Sequence, residues 1–335
     1  MREKKIFTKD FIILFSASFF VALIFYLLMT SFALYAVERF AASESEAGLA
    51  ASIFIIGALF ARLLAGKYIE VIGRKKLLYG SLILYLVAIL FYFLANSLSL
   101  LLIIRFIHGM GFGASTTAMS TAVMDMIPYE RKGEGTGYYT LSSVFATALG
   151  PFLALYLTQN YDFQTIFIIC TIFTVFSLLL SLFAKIPEAE ISREKLKKQK
   201  SGFHIQDFIE IKALPISFMM VIIGIAYASI VSFINVYAIE IQLQDIASLF
   251  FIVYAIVLLF TRPITGRLLD LKGDNIVIYP AIIFLAICLV LLSQAENGIV
   301  LLLSGAFLAL GFGTLVSSGQ AIAVKEAPKE RVGLA

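Results

Sequence analysis

Residues 60–76 read FARLLAGKYIEVIGRKK, and residues 260–274 read FTRPITGRLLDLKGD. Both stretches place a phenylalanine, an arginine, a glycine, a carboxylate and a second glycine at one spacing, 200 positions apart. The same offset relates GFG at 111–113 to GFG at 311–313, and PYERKG at 128–133 to PKERVG at 328–333. A register that holds over some seventy residues predicts an internal duplication, and hence two homologous halves.

The composition is that of a protein embedded in a lipid bilayer. Of the 335 residues, 61% are hydrophobic and 14% are charged, and the mean hydropathy is +0.96. The charges fall in short clusters between apolar runs of roughly 18 to 25 residues, the length that a helix needs to cross about 30 Å of hydrocarbon. Because lipid offers the backbone no hydrogen-bond partners and alternating barrel strands are absent, the sequence predicts an all-α membrane protein.

Ten membrane-spanning helices are predicted, and the first is retained because it lacks a signal-peptide cleavage site. The predicted spans are residues 11–35, 46–67, 77–95, 98–124, 136–158, 164–186, 213–239, 246–267, 275–294 and 299–324. They form a six-helix N-terminal bundle (1–186) and a four-helix C-terminal bundle (213–335), joined by a charged cytoplasmic linker (187–212). The linker is interpreted as a solvated connection, with binding of anionic lipid as the alternative.

The distribution of basic residues predicts the orientation. With the amino terminus in the cytoplasm, 24 of the 26 lysines and arginines lie on the inner side, and Arg39 and Arg105 are the exceptions. This asymmetry predicts a multi-pass plasma-membrane protein with both termini in the cytoplasm. The net charge of +4 does not indicate nucleic acid as a partner, since the basic residues face one membrane surface. Cys170 and Cys288, each within an apolar run, are interpreted as structural thiols rather than a disulfide or a metal site.

The segment from Gly66 to Lys76 resembles the signature loop of the major facilitator superfamily, with Glu70 where aspartate is usual. The degenerate copy, residues 266–274, occurs between helices eight and nine, where the superfamily repeats the motif. Asp274 stands there in place of the family's arginine.

Two further segments resemble family motifs. Residues 105–111 read RFIHGMG and are similar to a helix-four motif, with His108 where glutamine is usual. In helix five, Gly137, Gly150 and Pro151 resemble an antiporter-associated motif, with Ala146 and Ala154 in place of glycines. Gly150 and Pro151 also predict a kink, either for packing or as a hinge for transport.

The resemblance implies two six-helix bundles, with helices one, four, seven and ten lining a cavity. The chain reaches Ala335 where helix eleven is expected, so we expect the product of a truncated gene or a partial sequence, with a natural ten-helix transporter as the alternative. Helix two would then lack helix eleven, with which the resemblance implies that it packs between the two bundles.

Charged residues at the inner helix ends are predicted to hold the two halves together when the cytoplasmic side is closed. The resemblance implies this role for Glu70, and Arg74 is expected to pair with Asp125 at the end of helix four. The predicted latch residues are Gly66, Glu70, Gly73, Arg74, Asp125, Gly266, Asp270 and Gly273, and the glycines are expected to form sharp turns. The alternative is that these charges only set the topology.

Arg105 is interpreted as the one basic residue well inside a span. Since an arginine at a helix centre costs roughly 2.5–3.5 kcal/mol on insertion, we predict that it faces a polar cavity and serves ligand binding or proton coupling. The alternative is a structural arginine that extends to the outer surface. His108 could titrate near neutral pH, or it could be a neutral packing residue. The predicted substrate cavity comprises Arg105, His108, Tyr26, Thr30, Tyr227, Asn235 and Gln320.

These patterns predict a monomeric secondary transporter, embedded in the bilayer and working by alternating access. The expected activity is proton-coupled efflux of a small drug-like compound or metabolite. The sequence contains no phosphate-binding loop, which disfavours transport driven directly by ATP, and no cofactor or metal is predicted. The alternatives are an importer of a sugar, amino acid or organic anion, and a non-transporting fragment. A membrane enzyme would need more clustered ionisable residues than Arg105 and His108.

Overall fold

The computed structural model describes residues 6–128, 132–188 and 214–326, and every regular element within these ranges is a helix. The helices are α1 (Lys9–Phe40), α2 (Glu44–Ile72), α3 (Arg74–Phe91), α4 (Leu98–Met126), α5 (Lys132–Asn160), α6 (Phe163–Leu182), α7 (Leu214–Glu240), α8 (Gln244–Lys272), α9 (Asp274–Ser293), α10 (Gly298–Leu308) and α11 (Thr314–Glu326). A 3₁₀ turn (Tyr92–Leu94) extends α3, and a π-helical segment (Ala309–Gly313) joins α10 to α11 in one span. Ten spans in the described part are long and apolar enough to cross a membrane, which confirms the predicted all-α membrane protein.

Most of the helices are longer than the spans predicted for them. Hydropathy marks only the apolar part of a helix, whereas polar caps fix its ends. The Thr8 side chain accepts a hydrogen bond from the Phe11 N–H, so α1 begins at Lys9. Ala41, in the left-handed conformation at φ 50°, ends that helix by donating its N–H to carbonyls of the last turn.

Side-chain caps also fix the N-terminal ends of other helices. Ser43 and Glu46 form a reciprocal capping box at the start of α2. Ser97, Asp162 and Asn297 cap α4, α6 and α10 with a side-chain oxygen that accepts a hydrogen bond from a backbone N–H of the first turn. Hydrogen bonds from the Thr165 hydroxyl and N–H lower the pKa of the Asp162 carboxyl below its ordinary value. These caps let long apolar helices begin without unsatisfied N–H groups at the membrane surface.

The chain divides into an N-terminal unit (Met1–Gly202) and a C-terminal unit (Phe203–Ala335). Residues 189–213, which include nearly all of the predicted linker, lie outside the described residues. The predicted boundaries at 186 and 213 therefore stay a prediction.

In the N-terminal unit, glycines let α2 and α4 approach to backbone contact. A Cβ at Gly109 would lie 1.9 Å from the Phe54 carbonyl oxygen, and one at Gly113 would lie 2.2 Å from that of Ala58. From the other side, a Cβ at Gly57 would lie 2.1 Å from the Phe106 oxygen. The hydrophobic effect does not drive helices together in lipid, and small residues at such a crossing instead allow close van der Waals packing. The rest of this unit packs α1 against α5 and α6, and α3 against α4 and α6.

In the C-terminal unit, α8 and α9 pack on α10, and α7 contacts α8 and α11. The duplication relates α7 to α1, but the two helices are covered differently. Val21 and Ala22 of α1 are buried in their unit, whereas the equivalent Val221 and Ile222 of α7 are each 57% exposed. The apolar face of α7 is therefore open within the described part of its unit.

Candidate functional site

A polar cluster forms where α2 ends and α3 begins. Gly73 ends α2 with φ 93°, a conformation that favours glycine, and Gly273 takes the equivalent place before α9 with φ 86°. The next residue, Arg74, is 5% exposed. Its guanidinium pairs with the Asp125 carboxylate at the end of α4, as the sequence predicted, and also lies 3.4 Å from the Pro187 carbonyl oxygen. Through these two contacts Arg74 connects the start of α3 with the end of α4 and with the segment that follows α6.

Glu188 completes this cluster and was missed by sequence reasoning. Because Gly73 has no side chain with which to cap α3, its first N–H groups need an acceptor from elsewhere. The Glu188 carboxylate accepts from the Arg74 N–H at 2.8 Å and from the Lys75 N–H at 2.9 Å. A carboxylate here also interacts favourably with the helix dipole. The segment after α6 is thereby tied to the signature motif.

We expect Glu188→Ala to destabilise the protein by about 1 kcal/mol, because it removes a bidentate cap that is exposed to solvent. The measurement is the thermal midpoint of the purified protein in detergent at low salt. Glu38→Ala serves as the control, since Glu38 is an exposed carboxylate at the outer end of α1. Equal midpoints for the two variants would show that the Glu188 cap contributes nothing.

The other predicted latch residues lie within helices rather than in a loop. Gly66 is inside α2, so the expectation that it forms a sharp turn is wrong. Glu70 lies in the last turns of α2, and Gly266 and Asp270 lie in α8. The side chains of Glu70 and Asp270 fall outside the described residues, and their part in a latch stays a prediction.

Arg105 is enclosed within the N-terminal unit. It is 1% exposed, and its Nε and Nη2 donate to the carbonyl oxygens of Ala50 and Ala51 at 2.9 and 2.8 Å. The rings of Phe32 and Phe54 lie on the guanidinium, with centroids 4.3 and 4.8 Å from Cζ. The close crossing of α2 and α4 brings these carbonyls within reach. A substrate contact or a proton-coupling role for Arg105 stays a prediction.

His108 lies one turn further along α4 and is also fully buried. Its Nδ1 is 2.8 Å from the Tyr92 hydroxyl, and its ring stacks on Tyr85 with centroids 4.1 Å apart. Its Nε2 has no hydrogen-bond partner among the described residues. Sequence reasoning missed Tyr92, because nothing in the local pattern of the 3₁₀ turn predicts that it reaches α4.

The helix that carries Arg62 is longer than the sequence predicted. Arg62 was assigned to the inner end of its helix, but α2 continues to Ile72, ten residues or about 15 Å further on. Arg62 lies seven residues from the end of the candidate span Glu44–Ile69, and the interpretation of Arg105 as the one basic residue well inside a span stays a prediction. The Arg62 side chain is exposed, and its Cζ lies 5.6 Å from the Phe112 ring centroid. The sequence did contain a signal for Arg62, because the duplicated stretch has an arginine at the equivalent position 262.

Tyr26 of α1 is close enough to Arg62 to interact with it electrostatically, and α5 packs against α1 beside it. Gly150 permits this approach, since a Cβ there would lie 2.5 Å from the Tyr26 Cβ. α5 continues through Pro151, which leaves the carbonyl of Thr147 without its helical hydrogen bond. Thr30, in contrast, is fully buried and donates its hydroxyl to the Tyr26 carbonyl at 3.0 Å.

Of the predicted cavity residues of the C-terminal unit, Tyr227 contacts the π-helical segment. Tyr227 stacks on Phe312 with ring centroids 3.7 Å apart and planes inclined by 2°. Asn235 is 1% exposed, and the Gln320 side chain falls outside the described residues. π-helical turns are frequent at functional sites. The equivalent residues 109–113 of α4 are α-helical, so the two halves differ at this point.

Comparison with known proteins identifies the family. The family model of the Major Facilitator Superfamily matches residues 14–335. The chain belongs to the major facilitator superfamily. It is therefore a membrane transporter and not an enzyme, and the predicted family is confirmed.

Relatives within the superfamily are distant. An uncharacterized MFS-type transporter of Methanocaldococcus jannaschii is 23% identical over 307 residues, which cover 90% of this chain and 78% of the relative. The multidrug resistance protein MdtL of Escherichia coli is 29% identical over 142 residues, which cover 42% of this chain but only 36% of MdtL. A D-xylose-proton symporter of known structure has a TM-score of 0.69 and 15% identity, with 94% of this chain and 86% of the symporter covered. This last likeness shows the fold alone.

Within the superfamily fold, the structure groups the predicted site residues into three places in the N-terminal unit. Arg74 and Asp125 form the inner cluster, Arg105 and His108 form the enclosed cluster, and Tyr26 lies beside Arg62. Of the three, the Arg62 surroundings present an exposed charged group inside a span. A polar surface of that kind can contact a solute.

Proposed function

We propose that this superfamily transporter exports a small drug-like compound or metabolite in exchange for protons, by alternating access between its two units. The observation that carries the proposal is the pair formed by Arg74 and Asp125 within the signature motif, which gives the inner end of the N-terminal unit a breakable ionic contact. The antiporter-like Gly150 and Pro151, and the similarity to MdtL over 142 residues, support efflux as the direction. The excess of inner-side basic residues supports an amino terminus in the cytoplasm of a plasma-membrane protein.

Dye movement in everted membrane vesicles tests the proposal, since export then appears as accumulation inside the vesicles. Vesicles with and without the protein are energised to build an inward-acid proton gradient and are offered ethidium, a cation, and carboxyfluorescein, an anion. We expect one of these dyes to accumulate and to be released when a protonophore dissipates the gradient. Absence of protein-dependent movement of either dye would contradict proton-coupled efflux. Uptake by right-side-out cells alone would favour an importer.

The latch makes a separate prediction. Asp125→Asn removes the carboxylate that pairs with Arg74, so we expect it to shift the equilibrium toward the inward-open state by about two- to tenfold. The measurement is the labelling rate of a cysteine introduced at Thr116 by an impermeant maleimide, in everted and in right-side-out membranes. Cys170 and Cys288 are both buried and give little background.

Glu38→Gln is the matched control for Asp125→Asn, because it also neutralises an exposed carboxylate at a helix end, but on the outer side. It is expected to leave both labelling rates unchanged. Equal labelling of the Asp125→Asn protein and its parent from both sides would contradict the latch.

A further inference from the structure

We propose that Arg62 is an anion-binding residue on the N-terminal unit and that its ligand is an organic carboxylate with an aromatic body. The inference names the substrate class of the proposed transport function and rests on that function for its biological meaning. The binding site itself is inferred from the surroundings of Arg62. They differ from those of Arg105 in the hydrogen bonds that the guanidinium makes and in the direction that it faces.

The first difference is the occupancy of the hydrogen-bond donors. Arg105 directs Nε and Nη2 at two backbone carbonyls and is enclosed between two rings. Arg62 is exposed, and within the described part of the chain it has no hydrogen bond and no paired carboxylate. The Glu70 side chain is not described, but its residue lies eight positions further along α2, about 12 Å away along the axis. The donors of Arg62 are available to a ligand.

The second difference is the direction in which the charge faces. The Arg62 guanidinium lies over Phe112 of α4 and interacts electrostatically with Tyr26 of α1. The guanidinium therefore lies toward α4 and α1, the two helices that pack most closely on α2 within the unit. Arg62 lies within the candidate span Glu44–Ile69, and charged side chains within spans normally face the interior of the bundle or a polar cavity.

The chemistry of the surroundings selects the ligand. Phe112 covers one face of the guanidinium, which leaves the planar edge with its N–H groups, a geometry that matches a carboxylate in bidentate fashion. Phe25 stacks on Phe112 with centroids 4.9 Å apart and lies 4.7 Å from the Tyr26 ring. These rings offer contact area to an aromatic ligand body. Arg262 occupies the equivalent position in its own unit, and its Nε has no hydrogen-bond partner among the described residues.

The absence of tryptophan from the sequence provides a direct binding assay. Phe25→Trp introduces one fluorophore beside Arg62, and the purified protein is titrated in detergent with benzoate, with benzamide as the neutral isostere. We expect saturable quenching by benzoate and little change with benzamide. In the same background, Arg62→Gln is expected to weaken benzoate binding by at least about tenfold. Arg39→Gln, an exposed arginine at the outer end of α1, should leave binding unchanged.

Equal quenching by benzoate and benzamide, or an unchanged benzoate curve in the Arg62→Gln protein, would overturn the inference. If the tryptophan variant does not fold, modification of the unaltered chain by phenylglyoxal decides instead. Benzoate should then slow the labelling of Arg62, as followed by peptide mass spectrometry, and benzamide should not. Unprotected Arg62 would overturn the proposal equally.

The binding assay and the vesicle assay fail independently. Ethidium export without benzoate binding would leave the transport function standing and overturn the anion site. Benzoate binding at Arg62 without movement of either dye would support the site and contradict the transport function.

Discussion

Replacing Gly109 with alanine is expected to destabilise the N-terminal unit more than any other single methyl group added to the chain. The new Cβ would lie 1.9 Å from the Phe54 carbonyl oxygen and 2.8 Å from its carbonyl carbon. Both are backbone atoms of α2, so no rotation of a side chain relieves the overlap. Overpacking typically costs about 1–3 kcal/mol, and contact with a backbone places this substitution at or above the upper end of that range. Separation of α2 from α4 also moves the Ala50 and Ala51 carbonyls away from Arg105.

The measurement is the thermal midpoint of the detergent-purified protein, followed by the loss of its monodisperse peak in size-exclusion chromatography. Gly80→Ala is the matched control, because Gly80 is an exposed residue of α3 and a Cβ there meets no atom within 4 Å. The control should retain the midpoint of the parent or exceed it slightly, since alanine has the higher helix propensity. A Gly109→Ala protein as stable as Gly80→Ala would show that the two helices do not pack at backbone contact.

Much of the fold was predictable because bilayer thickness and backbone hydrogen bonding leave few options to so apolar a chain. The duplicated signature motif, anchored at Gly73 and Gly273, indicated both the family and the positions of the two halves. The left-handed backbone at both glycines explains why the motif contains glycine there. The positive φ angle at these two positions favours glycine, so this part of the local conformation can be predicted from the sequence.

The inner ends of the helices were predicted less well. Hydropathy falls after Gly66, yet α2 remains helical to Ile72, since a helix can extend beyond the apolar core where water and lipid headgroups meet polar side chains. The predicted span therefore stopped five residues short of the end of α2. Once α2 has its full length, Arg62 is about 15 Å inside the helix end, and its recurrence as Arg262 becomes informative.

The tertiary contacts of the candidate site were beyond sequence reasoning. Glu188 caps a helix that begins 114 residues earlier, so no local pattern connects them. Arg105 was predicted to lie within a span, and the candidate span Leu98–Met126 contains it, but its hydrogen bonds to α2 depend on how closely two helices approach. That distance is set by glycines on both helices, whose effect becomes visible only when the helices are placed side by side.

Arg105→Met is expected to leave the protein folded and to abolish transport. The first expectation follows from free energies of opposite sign that nearly cancel, and the second follows from the predicted role of Arg105 in substrate binding or proton coupling. The substitution removes two hydrogen bonds, which in membrane proteins contribute about 0.6 kcal/mol each, and two cation–π contacts of about 0.5–2 kcal/mol each. It also removes a guanidinium whose placement within a span costs about 2.5–3.5 kcal/mol. Because these contributions nearly cancel and methionine fills much of the same space, we expect the stability to change by no more than about 1–2 kcal/mol.

The charge at position 105 therefore adds little to net stability, and the prediction that it serves substrate binding or proton coupling can be tested apart from folding. The thermal midpoint and protonophore-sensitive dye movement are measured on the same Arg105→Met preparation, with Arg39→Met as the control for loss of an exposed arginine. Arg105→Lys adds a second comparison, since it keeps the charge but lacks the planar fork that reaches both the Ala50 and Ala51 carbonyls. An unfolded Arg105→Met protein would make Arg105 a structural clamp between α2 and α4. A folded protein with full transport would show that neither substrate nor proton depends on this charge, and the carboxylate would then be expected at Arg62 alone.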